Sequence, residues 1–111
     1  MTVIVLDASA VAKWFVREQG SLEMKKIRDR IVASELEGYA PEFILVEIAN
    51  LLRYSKGISA DDARNAIKSL EIILHLRRDR DLLQRAIKLA FEEKITVCDS
   101  LYVALATELG T

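Results

Sequence analysis

Sulfur and imidazole are nearly missing from this chain: Cys98 is the one cysteine and His75 the one histidine among 111 residues. A lone cysteine forms no internal disulfide, and one of each residue is too few for a zinc cluster or a Cys/His catalytic pairing. Both are expected to be packing residues. The opening MTVIVLDASA has neither the basic start nor the apolar core of a signal peptide, and no uncharged apolar run approaches the roughly 18 to 20 residues that span a bilayer. A cytoplasmic protein without a membrane span is the expectation. An excess of charge is also lacking, because 16 Lys and Arg face 17 Asp and Glu, so net charge argues neither for nor against a nucleic-acid partner. No repeat, low-complexity tract or long linker divides the chain, and its length suits a single domain over 1–111.

What is present is an ordinary globular balance, 51% apolar and 30% charged. TVIVL is a β-branched run, apolar on successive residues, which predicts a strand covered on both faces and ending at Asp7. ASAVAKWFVREQ follows as a first helix broken by Gly20, and SLEMKKIRDRIVASELE as a second with Leu22, Ile27 and Ile31 inward. Gly38 and Pro41 bracket a very short strand at YA, and Pro41 suits the first turn of the helix EFILVEIANLLRYSK, which Gly57 ends. Ser59 and Asp62 read as a capping box for ADDARNAIKSLEII. A brief strand at ILHL, the helix DRDLLQRAIKLAFEEK and a last helix over 96–109 complete the order. A helix-rich α/β sandwich with a small parallel sheet is expected, and such sheets bind ligands beyond the carboxyl ends of their strands, where Asp7 lies.

Two more carboxylates keep apolar company. Glu47 has Phe43 and Ile44 one turn before it and Leu51 one turn after; Asp99 lies between Ile95 and the pair Tyr102 and Val103. An isolated buried carboxylate costs several kcal/mol unless it is protonated, paired or bound to a cation. Asp7 can cap the first helix, and Glu47 and Asp99 can reach water from the edges of their helices, Asp99 also matching the helix dipole. Alternatively the three converge in one crevice, where a hard divalent cation relieves their repulsion.

VIVLDASAVAKWF, PEFILVEIANLL and ITVCDSLYVALA together resemble the three acidic motifs of PIN-domain proteins, especially the small VapC-type toxin ribonucleases. The resemblance implies a three-layer α/β/α fold, an endoribonuclease that uses Mg²⁺ or Mn²⁺ to hydrolyse RNA phosphodiester bonds, and a homodimer held by an antitoxin protein. It implies Asp7, Glu47 and Asp99 as the metal-binding, catalytic acids, with Ser9 supporting the first acid or its bound water. Asn50, a turn after Glu47, faces the same crevice or serves as a surface or capping residue.

The chain departs from the family pattern after its last helix, ending at ELGT where members continue into a strand with a fourth acid. It therefore reads as a PIN domain without its C-terminal strands, with a second metal site weak or missing. An open edge of VIVL is then expected to be covered by a second subunit, or the fold to be marginally stable. The competing function is a catalytically inactive PIN module that binds a partner protein or RNA. A phospho-accepting receiver domain is excluded by the lack of paired acids after the first strand. Arg77, Arg78 and Arg80, with Lys13, Arg17, Arg53 and Lys56, are available to phosphates but read as a solvated face. Trp14, Phe15 and Tyr54 are expected in the core or a dimer contact. Asp61, Asp62, Glu92 and Glu93 belong to helix ends.

Overall fold

A computed structural model describes residues 1–111. Strand β1 (Thr2–Val5) divides its side chains between two environments: Ile4 and, just beyond it, Leu6 enter one apolar cluster, whereas Val5 packs against another. Strand β2 (Leu36–Pro41) does the same, with Leu36 and Ala40 on the first side and Tyr39 on the second. The alternation is the two-residue period of a strand covered on both faces. Strand β3 (His75–Arg77) completes a parallel sheet in the order β1-β2-β3, with Val3 opposite Glu37 and Tyr39 opposite His75.

Helices α1 (Ala8–Ala12), α2 (Ser21–Val32), α3 (Ile44–Arg53) and α4 (Ala60–Ile73) supply the first cluster, through residues such as Val11, Ile31, Ile48 and Leu70. Helices α5 (Asp79–Glu93) and α6 (Val97–Leu109) pair over the other face through Leu82, Ala86, Leu101, Ala104 and Leu105. The result is the expected α/β/α arrangement, and α4 carries its capping box, with Ser59 accepting from Asp62 N–H and Asp62 from Ser59 N–H, each at 3.0 Å.

Several boundaries differ from expectation. The first helix stops at Ala12, because Trp14 donates its indole N–H to the Met24 carbonyl at 2.8 Å and the following residues turn with it. The second ends at Val32 rather than running through SELE: Ser34 takes a left-handed φ of 61°, and the next residues pair as β2 with strands on both sides. Sheet pairing thus overrides the helix preference of ELE. Pro41 closes β2 instead of opening α3. Leu22 is exposed while Ile31 is buried, since the inward line of α2 runs through Met24, Ile27 and Ile31. Cys98 is exposed on the first turn of α6, and His75 is exposed but stacks on Tyr39 with ring centroids 4.6 Å apart. Trp14 is buried and Phe15 packs on the core, whereas Tyr54 lies outside beneath the Arg53 guanidinium.

Gly38 sits where α2 and α4 close over the central strand: a Cβ there would come within 2.9 Å of Ile31 Cδ1 and 3.0 Å of Leu74 Cδ2. On the outer side of β1 the sheet is open. Leu6 N–H donates to Tyr39 O at 3.0 Å, so by alternation the peptide groups of Val3 and Val5 point outward, where the Thr111 hydroxyl reaches Val3 O at 3.1 Å.

Two apolar residues of α4 separate core from surface. Leu70 is fully buried and Ile72 is 85% exposed. Leu70→Ala is expected to lower the unfolding free energy by about 2–5 kcal/mol and Ile72→Ala by less than about 0.5 kcal/mol, as read from urea denaturation midpoints.

Candidate active site at the carboxyl end of the sheet

Asp7 leaves β1 as the N-cap of α1. Its Oδ1 accepts from Ala10 N–H and from the Ser9 hydroxyl, each at 2.9 Å, and Oδ2 takes neither bond. Capping therefore occupies only one carboxylate oxygen.

Glu47 stands beside the buried line Ile44, Ile48 and Leu52 of α3, half-buried at its margin, with Leu51 on the exposed side. Its Oε1 accepts the Tyr102 hydroxyl from α6 at 2.5 Å. Tyr102 in turn lines a shallow cavity of about 350 Å³ with Val5, Leu6, Asp7, Ala10, Val103 and Ala106. Tyr102 thus links two acids from different elements, bonding Glu47 through its hydroxyl and sharing a cavity with Asp7.

Asp99 does not occupy the buried stripe that its neighbours suggest. It is exposed, and its N–H donates to Thr96 Oγ1 at 3.0 Å in the first turn of α6. The inward face holds Ser100, Leu101, Ala104 and Leu105, and one residue of helix rotation carries Asp99 away from it. The polar residue actually buried is Ser100, whose hydroxyl donates to Ala86 O at 2.7 Å. Asp99 remains one turn from Tyr102 and Val103 along α6 but does not line the cavity that Tyr102 shares with Asp7. No three acidic, His or Cys side chains lie close enough to enclose a single ion. Asn50 is exposed and hydrogen-bonds to none of these groups.

Two residues of the site escaped the sequence reading. Tyr102 looked like one more apolar neighbour of Asp99. Asp79 follows β3 as Asp7 follows β1, and that repeated strand-to-helix position was the available signal. Its Oδ1 accepts Phe43 N–H at 3.1 Å, fixing the start of α3, and its own N–H donates to Glu42 Oε1 at 3.3 Å. Burial pushes the Asp79 carboxyl upward, the Phe43 N–H opposes this, and the charge of Glu42 adds to the rise.

The donor set suits a hard divalent cation. Asp7, Glu47, Asp79 and Asp99 offer only oxygen, and none pairs with a basic side chain. Nearby cations are engaged elsewhere: Arg77 with Glu108 at 2.8 Å, Arg78 with Asp81 at 3.0 Å and Lys13 with Glu18 at 3.4 Å.

Burial, the bond to Glu47 and the charges of Glu47, Asp7 and Asp79 all hold the Tyr102 phenol far above the ordinary range. A raised folded value gives a contribution to stability that is complete below the unfolded phenol value of about 10 and lost as pH rises beyond it. Absorbance titration of wild type minus Tyr102→Phe is expected to show no phenolate near pH ~10 in the folded protein, with an alkaline loss of stability that the variant lacks. A phenolate signal appearing at that ordinary value would contradict the assignment.

Comparison with known proteins agrees with this architecture. The PIN domain family matches residues 4–111. The chain is also 31% identical over 113 aligned residues to Ribonuclease VapC3 of Pyrobaculum aerophilum, an overlap covering 96% of this chain and 83% of that protein. With acids leaving the first strand and projecting from the helices around its carboxyl end, and with that match across nearly its whole length, this chain belongs to the PIN domain family.

Proposed function

We propose that the protein is a divalent-metal-dependent endoribonuclease acting in the cytoplasm, the toxin half of a toxin–antitoxin pair. The observation that carries this reading is the position of Tyr102 between two acids without basic partners, its hydroxyl bonded to Glu47 and its cavity shared with Asp7, in a PIN-domain chain whose relative is named a ribonuclease. Asp7, Glu47 and Asp99 would hold Mg²⁺ or Mn²⁺. When bound, that ion supplies a water of lowered pKa and neutralises charge on the phosphate.

The chain's own residues do the positioning. Ser9 and the Ala10 N–H fix Asp7 through one oxygen and leave the other for the ion. Glu47 likewise keeps the oxygen that Tyr102 does not use. Asp99, exposed one turn before Tyr102 on α6, would complete the set as the ion and the RNA phosphate enter. Replacing Asp7→Asn, Glu47→Gln or Asp99→Asn is expected to reduce metal-dependent cleavage of single-stranded RNA by more than about 100-fold, beyond what changes outside the ligands themselves cost. Cleavage that is unaffected by all three changes would remove the proposal.

The absence of a ready-made three-acid group favours a second reading, a silent PIN module that binds a partner protein or RNA. RNA binding without cleavage, at saturating Mn²⁺, is the result that would select it.

A homodimer fits the outer surface of α5, where Leu83, Ile87 and Phe91 recur at one-turn spacing and are 39%, 37% and 81% exposed. Phe91→Lys is expected to halve the mass measured by light scattering while leaving the helical circular dichroism unchanged. A monomeric mass in the wild type would defeat this assignment.

A further inference from the structure

We propose that Tyr102 is a positioning residue, which holds the Glu47 carboxylate by one oxygen so that the other is presented to a divalent cation shared with Asp7. This deepens the metal-dependent reading and rests on it. Glu47 has three side-chain torsions and stands at the margin of α3, with no ion pair to orient it. Tyr102 is better fixed. Its ring packs against the first core, although α6 covers the opposite face, and α6 is itself tied down by Ser100 Oγ to Ala86 O and by Glu108 to Arg77.

The phenol has one proton to donate, and the 2.5 Å contact commits it to Glu47 Oε1. Oε1 then has one of its lone pairs engaged, whereas Oε2 accepts no hydrogen bond and is the oxygen turned to an ion. The hydroxyl is also neutral, so it orients the acid without adding to or cancelling the negative charge of the cleft. Arg or Lys in its place would neutralise the ligand that it holds. Groups that order metal ligands in this way commonly contribute 10–100-fold to affinity.

Calorimetric titration with Mn²⁺ alone tests the idea on wild type, Tyr102→Phe, Glu47→Gln and the double variant. Tyr102→Phe is expected to weaken Mn²⁺ binding about 10-fold, and the double variant to bind no more weakly than Glu47→Gln, because both changes act through one carboxylate. A second readout uses Mg²⁺ and the near-ultraviolet tyrosine absorbance. Mg²⁺ should perturb that band in wild type and not in Glu47→Gln.

Wild-type affinity in Tyr102→Phe, beside a weakened Glu47→Gln, would overturn the positioning role and leave the cation site standing. No Mn²⁺ binding by the wild type would overturn the metal-dependent reading and this role with it. Should Tyr102→Phe fail to fold by circular dichroism, the spectra of wild type and Glu47→Gln decide. A perturbation that persists in Glu47→Gln sinks the proposal, and one that disappears upholds it.

Discussion

A strand of four residues that must be covered on both faces governs the rest of this molecule. β1 is too short to bury much by itself, so its alternate side chains seed two separate clusters, and helices are required above and below. The first cluster draws in α1 to α4 and the second α5 and α6. Because all three strands are parallel, their carboxyl ends open on the same side. Asp7 and Asp79 therefore emerge at one end of the sheet without any further instruction from the sequence.

Beyond the strand ends no sheet separates the two layers, and side chains cross between them. Tyr102 comes from the layer of α6 and packs against the first core; Phe43 comes from the start of α3 and packs against the second. Each crossing carries an acid. Tyr102 holds Glu47, and the Phe43 N–H is accepted by Asp79. The site is thus the seam between the layers, and its geometry depends on both cores being formed.

The sequence made the strand at β1, the capping box of α4 and the helices α5 and α6 legible, because each is marked by local chemistry: β-branched residues, Ser59 with Asp62, or a long periodic stripe. Asp7 was legible as well, from its junction between strand and helix. β2 was largely hidden. LEGYAP has little strand character of its own and is extended because its first half pairs with β1 and its end with β3, meeting at Tyr39, which is information carried by those strands. Asp99 misled for the same reason. Its apolar neighbours Ile95 and Val103 are 38% and 43% exposed, so sharing their face did not mean burial. Tyr102 was invisible as a site residue because its partner Glu47 lies 55 residues away.

The electrostatics of the seam follow from where the basic residues are held. Arg77 and Arg78 precede Asp79 directly, yet one is drawn to Glu108 on α6 and the other to Asp81 on α5. Lys13, at the end of α1, turns to Glu18 and the Gln19 carbonyl. An internal salt bridge to Asp7 or Glu47 would relieve their mutual repulsion, and the chain forms none. The acids are consequently left without a basic partner, open to a ligand from solution. On the proposed reading this has a direct consequence for order of binding: a phosphate approaching the bare cleft meets carboxylates and a neutral phenol, and is repelled. With the cation in place the same cleft attracts it. Metal occupancy would then control substrate affinity as well as the chemical step, and a cation that binds only the folded chain would also stabilise the seam that receives it.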